Sequence, residues 1–202
     1  MNNLRKFNTA ADYSAATLNY PAVSWIVSGD TVMFDKSAPA TFGGLTVKYN
    51  IIDPTVEVQL FNDGGSSESS SESGGGGALP TTMIVDGVSE TPINTWRFET
   101  AGEHIVQYTF ENNTVPQSFI DGNIATATDV IVGTDITSIG SEAFNKELTS
   151  ATCLSTTPPT IADSGSFGVG QNYPIYVPAE SVATYKAANI WISVESRIFA
   201  IQ

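Results

Sequence analysis

The sequence predicts a mainly β protein, and three features of its 202 residues indicate this. Charged residues make up only 14% of the chain, against roughly 25% in an average soluble domain, and Thr, Ser, Asn and Gly take their place. Thr packs well on a pleated sheet, while Asn and Gly accept the backbone angles of turns. Finally, short runs of alternating apolar and polar residues recur between turn residues, and the long Glu-, Lys- and Leu-rich stretches that helices favour are absent.

The first predicted module covers residues 1–62 and contains four strands. Runs 22–27 and 31–34 flank a turn and predict a hairpin, and runs 45–52 and 56–61 add two more strands. A segment of this size can barely bury a core of its own, so we expect it to attach to a partner or to further copies of itself. Its aromatic residues are the candidate interface anchors: Phe7, Tyr13, Tyr20, Trp25 and Phe34.

Residues 63–79 form the clearest boundary in the chain. Glycine and serine dominate this stretch, with two isolated glutamates, and almost no residue in it can pack against a core. It is therefore either a flexible linker or a long mobile loop.

Residues 80–113 predict a small unit resembling a β-sandwich. A strand over 82–85 enters an Asp-Gly turn, and a longer alternating run over 103–110 follows.

The remaining part, residues 114–202, contains a weak internal repeat. Phe119 and Phe144 lie 25 residues apart, and each is followed by a predicted strand, 129–132 and 148–154 respectively. This spacing is within the period of leucine-rich repeats, in which each unit contributes a short strand and cannot cover its apolar face alone.

Such a stack needs a cap, and residues 177–188 predict a helix that provides one. Pro178 fits the first turn of a helix, and Val182 and Tyr185 form an apolar stripe at helical spacing.

Charge and composition exclude several functions. Residues 51–150 carry fifteen acidic and two basic residues, which disfavours nucleic-acid binding. The start of the chain has no apolar segment typical of a secretory signal, and no apolar run is long enough for membrane insertion. Cys153 is the sole cysteine, so we expect no internal disulfide and a buried, inert thiol.

The sequence predicts no catalytic, cofactor or metal site. His104 is the sole histidine and lies in an alternating strand, where a structural role is expected. Neither a metal-binding motif nor a phosphate-binding loop is present. Three aromatic residues could face a ligand such as a sugar, although each also fits a core or cap position: Tyr173, Tyr176 and Trp191.

The last part of the chain resembles the BspA-like leucine-rich repeats of bacterial and phage surface proteins. The matching segments are residues 136–144 with 148–150, residues 156–161, and the closing segment over 176–198. The usual repeat count is higher, and the cysteine that commonly follows the phenylalanine is missing. The resemblance implies recognition or architecture, without catalysis.

The opening of the chain, residues 4–13 with 20–25, looks like the N-terminal segments of virion proteins in crAss-like bacteriophages. This resemblance implies a head-fibre or capsid-decoration protein on the outer surface of the virion, made in the host cytoplasm. It implies attachment to capsid or auxiliary capsid proteins through residues 1–62, commonly as a homotrimer, with the repeat module facing a host surface glycan or protein.

Two other classes remain open. A bacterial cell-surface adhesin could carry the same repeats, although it would need a secretory signal. A glycan-degrading enzyme is disfavoured by the single histidine and the lack of a carboxylate cluster.

Overall fold

The computed structural model confirms a mainly β chain with one short α-helix among the described residues. The chain divides into two compact units, residues 1–41 and residues 42–202. The structure describes the backbone of two strands in the first unit and most of the second unit: residues 24–28, 31–35, 42–62, 79–122 and 124–202.

In the first unit, β1 (Ser24–Ser28) and β2 (Thr31–Asp35) pair antiparallel and confirm the predicted hairpin. Trp25 lies directly opposite Phe34 in this ladder. The other three predicted anchors, Phe7, Tyr13 and Tyr20, lie outside the described residues, as does all but the last residue of the 63–79 linker.

The second unit is built on one eight-stranded sheet with the order β15-β14-β12-β10-β3-β8-β5-β6. Its strands are β3 (Leu45–Ile51), β5 (Thr82–Val85), β6 (Val88–Glu90), β8 (Gly102–Thr109), β10 (Ala127–Val132), β12 (Ser150–Cys153), β14 (Ile175–Val177) and β15 (Ile198–Ala200). The four strands from β15 to β10 are parallel, and every pairing from β10 onward to β6 is antiparallel.

Strand β3 lies in the middle of this sheet, between β10 and β8. Its inward residues Leu45, Val47, Tyr49 and Ile51 are all buried. The predicted first module, residues 1–62, includes β3, but the structural division falls between residues 41 and 42. The physical reason is that both long edges of β3 are hydrogen-bonded to strands from later in the chain.

The hairpin strands β5, β6 and β8 belong to the same sheet as the repeat strands. The sequence predicts a separate sandwich-like unit over residues 80–113. Instead, β3 connects them to β10, so the two predicted modules share one sheet. The predicted Asp-Gly turn joins β5 to β6, with positive φ at both Asp86 (48°) and Gly87 (84°).

Residues 114–177 form a coil that alternates between the large sheet and a small parallel one. The small sheet contains β9 (Thr114–Val115), β11 (Ser138–Ile139) and β13 (Thr160–Ile161). Ser138 pairs with both Thr114 and Thr160, so the coil repeats every 22–24 residues. A separate pair, β4 (Val58–Gln59) and β7 (Thr95–Trp96), completes the strands.

One buried phenylalanine per turn of the coil fills the space between the two sheets. Phe119 and Phe144, whose spacing indicated the repeat, are two of these residues, and Phe167 is the third. Backbone hydrogen bonds stack the turns that carry them: Ile120 N–H donates to the Ala143 carbonyl, and Phe144 N–H donates to the Ser166 carbonyl. The rings of Phe144 and Phe167 are 5.4 Å apart at their centroids.

The predicted C-terminal helix is present as α1 (Val182–Ala187), preceded by a 3₁₀ turn over Ala179–Ser181. A longer 3₁₀ segment, Trp191–Arg197, follows it. The Trp191 ring lies 5.2 Å from that of Phe167 and 4.9 Å from that of Tyr185. Trp191 and Tyr185 therefore cover the last phenylalanine of the coil.

Two buried tyrosines, Tyr49 on β3 and Tyr108 on β8, link these strands to each other and to Leu60, the residue directly after β4. The Tyr49 hydroxyl donates to the Leu60 carbonyl at 2.5 Å, so its oxygen is free to accept from the Tyr108 hydroxyl at 2.9 Å. Burial raises the pKa of both hydroxyls above their ordinary value, which keeps them neutral donors.

Replacing Tyr49 should therefore cost more than replacing Tyr108. Tyr49→Phe removes the donor to Leu60 and the acceptor of Tyr108, and should lower the free energy of unfolding by about 2 kcal/mol or more. Tyr108→Phe removes only a donor and should cost about 1 kcal/mol. Urea denaturation of both variants measures the difference, and equal losses would contradict this chain of hydrogen bonds.

Cys153 provides a chemical reporter of global unfolding. It points into the core of the large sheet and is fully buried, and burial raises the pKa of its thiol. Because only an exposed thiolate reacts, we expect a thiol reagent such as DTNB to label the protein only as urea unfolds it. Rapid labelling without urea, while the circular dichroism spectrum stays native, would show that this core opens locally.

Candidate functional site

The candidate site lies on the outward face of the large sheet, where β12, β14 and β15 run side by side. Side chains alternate across each strand, so that buried residues such as Ala151, Ile175 and Ile198 point inward. Their neighbours Thr152 and Tyr176 are half-buried on the opposite face, and Phe199 is exposed there. The inward residues hold the strands, and the outward ones form a surface.

The register places these outward residues in one row. Thr152 is the direct partner of Tyr176, and Tyr176 is the direct partner of Phe199. Strands are about 4.8 Å apart in a sheet, so the three side chains are neighbours. The Tyr176 and Phe199 ring centroids are 6.4 Å apart, and their planes are tilted by 48°. The Phe199 side chain is 49% exposed.

Hydroxyl groups lie on and beside this aromatic pair. Among the described residues, neither the Tyr176 nor the Thr152 hydroxyl has a hydrogen-bond partner. On β12 itself, two residues before Thr152, the Ser150 hydroxyl donates to the carboxylate of Asp129 on the adjacent strand β10 at 2.8 Å. The row therefore combines two aromatic faces with two hydroxyls that can hydrogen-bond to a ligand.

The other two predicted ligand-facing aromatics lie inside the protein. Trp191 is 1% exposed and its indole N–H donates to the Pro159 carbonyl at 2.8 Å. Tyr173 is 6% exposed, its hydroxyl donates to the Phe144 carbonyl, and the Arg197 guanidinium lies 4.5 Å from its ring centre. Both rings are core contacts between turns of the coil, so we do not retain them as ligand-facing residues.

The sequence pattern did not identify Phe199 as a ligand-facing aromatic residue. It lies in a three-residue strand directly after a 3₁₀ segment, and so short a run shows no recognisable alternation. The signal that could have identified it is the Ile-Phe-Ala pattern, in which the two residues flanking Phe199 share the inward face.

The sole histidine forms a second polar cluster, at the β5–β6 turn. His104 Nδ1 lies 2.6 Å from the Asp86 carboxylate, and Nε2 lies 2.8 Å from the Thr100 carbonyl. The other Asp86 oxygen accepts from the Ile105 backbone N–H at 2.9 Å. The Phe98 ring packs against the imidazole with centroids 4.3 Å apart.

This cluster has the composition of a hydrolytic triad but a different geometry. The Thr100 hydroxyl is 3.4 Å from Nε2, whereas the Thr100 carbonyl is closer and needs a hydrogen from the same nitrogen. Both ring nitrogens thus face acceptors, which leaves none to take a proton from a nucleophile. The arrangement fastens the Asp86 turn to β8, which fits the structural role expected for His104.

A shallow apolar groove lies beside the C-terminal 3₁₀ segment, between Pro158, Pro159 and Ile190. Ile190 has φ +65°, a conformation that strains a β-branched residue. The indole N–H of Trp191 at its base already donates to Pro159. The groove therefore offers shape but little hydrogen-bonding chemistry.

Within the described ranges, no group of three or more His, Cys, Asp or Glu side chains is placed to hold a metal ion. In the same part of the chain, no helix has the length and apolarity to cross a membrane.

No protein-family model matches the chain, and a search of curated proteins found no match.

The Asp86–His104 cluster makes a testable prediction about stability. Asp86→Asn leaves one amide oxygen for two donors, so it should lower the free energy of unfolding by about 1–2 kcal/mol. The matched control is Glu103→Gln, the same change at an exposed surface ion pair with Lys48, which should cost under about 0.5 kcal/mol. Thermal or urea denaturation measures both, and equal effects would show that the cluster contributes nothing beyond a surface charge.

Proposed function

We propose that this protein is a structural, non-enzymatic component of a bacteriophage virion: a head-fibre or capsid-decoration protein. Residues 1–41 attach it to capsid or auxiliary capsid proteins, and residues 42–202 present a binding surface to the host. The observation that carries the proposal is the open row of Thr152, Tyr176 and Phe199 on a compact unit that is distinct from the first unit.

The coil supports the repeat part of this proposal. Its 22–24-residue period and its one buried phenylalanine per turn are the features expected of a BspA-like repeat. Proteins built this way use a sheet face as a recognition surface, because its residues are held in register by the stacked turns.

The attachment part rests on residues 1–41. Their resemblance to the openings of crAss-like virion proteins and the placement of Trp25 opposite Phe34 in a hairpin support an aromatic contact with another chain. A homotrimer fits this role, because so short a segment can barely bury a core of its own and further copies would cover its apolar residues.

The deletion that tests attachment must spare β3. Removing residues 1–62 would remove β3 from the middle of the sheet and unfold the second unit. Removing residues 1–41 leaves the second compact unit complete. The shorter deletion therefore separates attachment from folding.

We expect the chain lacking residues 1–41 to lose attachment to phage particles while staying folded. The measurement is co-sedimentation of the purified protein with particles that lack it, and protection of Cys153 from labelling confirms that the unit is folded. The point variant Trp25→Ser should weaken attachment, whereas Ile52→Ser, at an 86% exposed site of the second unit, should not.

Two results would contradict the proposal. Full decoration by the chain without residues 1–41 would move attachment to the second unit. Absence of the full chain from purified particles, together with its presence on the surface of bacterial cells, would favour the alternative of a bacterial adhesin with the same repeat type.

A further inference from the structure

We propose that Tyr176 and Phe199 form a stacking platform for a neutral glycan, with the hydroxyls of Thr152 and Tyr176 as its hydrogen-bonding groups. This inference rests on the proposed function, in which residues 42–202 are the part that meets the host. It names the ligand class and the residues that would contact it.

The strands that carry the two rings are anchored by residues on their inward face. Each ring sits on a strand whose flanking residues are buried: Ile175 and Val177 on either side of Tyr176, and Ile198 before Phe199. The ladder between β14 and β15 fixes their spacing. The platform is therefore held in place before any ligand arrives, which lowers the entropic cost of binding.

The ring geometry suits a chain of sugars. The π face of an aromatic ring is electron-rich and attracts the weakly positive C–H groups on one face of a pyranose. Two rings on adjacent strands, 6.4 Å apart and tilted by 48°, can contact two successive sugar units of a chain that twists along its length.

The surroundings favour a polyol over an apolar partner. The hydroxyls of Thr152 and Tyr176 have no hydrogen-bond partner among the described residues, and each can both donate and accept. An apolar protein surface covering them would leave both unsatisfied, at a cost in binding free energy. A glycan hydroxyl in the same place would satisfy them.

Charge points to a neutral glycan. The strands that carry the site, β12, β14 and β15, contain no charged residue. The Asp129 carboxylate, on the adjacent strand β10, accepts a hydrogen bond from Ser150. Residues 151–202, which carry the whole row, hold three acidic and two basic residues, so this part of the chain offers no excess of positive charge to an anionic polysaccharide.

The test is affinity electrophoresis of the full chain through native gels, each containing one neutral polysaccharide: hydroxyethylcellulose, galactomannan, mannan or dextran. Polygalacturonate serves as the anionic comparison. We expect at least one neutral polymer to slow the protein and polygalacturonate to have no effect.

The variants assign the binding to the platform. Tyr176→Ala and Phe199→Ala should each weaken retardation about three- to tenfold, as expected for losing one aromatic contact. Tyr176→Phe keeps the ring and should retain most of the binding. The matched control is Ile192→Ala, which trims an apolar side chain that is 59% exposed elsewhere on the surface. Protection of Cys153 from labelling shows that each variant is folded.

Three results would overturn the inference: no retardation by any neutral polymer, equal retardation of the alanine variants and the parent protein, or stronger binding to polygalacturonate. A fourth result that would overturn the inference comes from light scattering. If Phe199→Ala breaks up an oligomer of the parent protein without changing retardation, the pair is a contact between copies. None of these results would alter the particle-attachment test, so failure of the glycan site and failure of the virion assignment are separable.

Discussion

The fold depends on the central position of β3. The repeat strands β10, β12, β14 and β15 form a parallel array, and β5, β6 and β8 form an antiparallel group. Neither group could leave a long edge unpaired in water without inviting association with other chains. Strand β3 pairs antiparallel with both groups, and its buried residues Leu45, Val47 and Tyr49 complete one hydrophobic core. The stretch 42–51, separated from β8 and β10 by the long glycine- and serine-rich segment, is what makes residues 42–202 a single unit.

Local signals in the sequence predicted much of this structure. Alternation predicted β3, β5 and β8, the Asp86-Gly87 pair predicted the β5–β6 turn, and Pro178 with Val182 and Tyr185 predicted the region of α1. The partners of β3 could not be predicted, because alternation identifies the two faces of a strand but not the strands that flank it. The predicted module boundary differs from the structural one for this reason. The glycine-rich stretch looks like a division between modules, whereas β3 before it and the strands that pair with β3 after it belong to one sheet.

For single residues of the candidate site, too, the sequence alone does not show which tertiary contacts a side chain makes. Tyr173, Tyr176 and Trp191 are equivalent as aromatic residues in a repeat region, yet only Tyr176 is on the outward face. The difference lies in the strand register and in the contacts between turns. Trp191 reaches the Pro159 carbonyl and the Phe167 ring, and Tyr173 reaches the Phe144 carbonyl, all of them more than twenty residues away in sequence. An aromatic residue that bridges turns of a coil is buried by its neighbours, and that information lies in the tertiary structure.

The inward aromatic residues stabilise the core, whereas the outward ones do not. This difference supports the proposal that the sheet face is a recognition surface. The rings of Phe119, Phe144, Phe167 and Trp191 stabilise the stack from within, with their polar atoms satisfied by backbone carbonyls where they have any. Tyr176 and Phe199 contribute nothing comparable to the core. The Phe199 ring is exposed, and the Tyr176 hydroxyl beside it has no partner in the part of the chain that the structure describes, so the pair costs solubility and adds little stability. On uncharged strands whose ladder fixes its spacing, such a pair fits the binding platform that we propose, since a fixed spacing reduces the entropy lost on binding and the missing charges favour a neutral ligand.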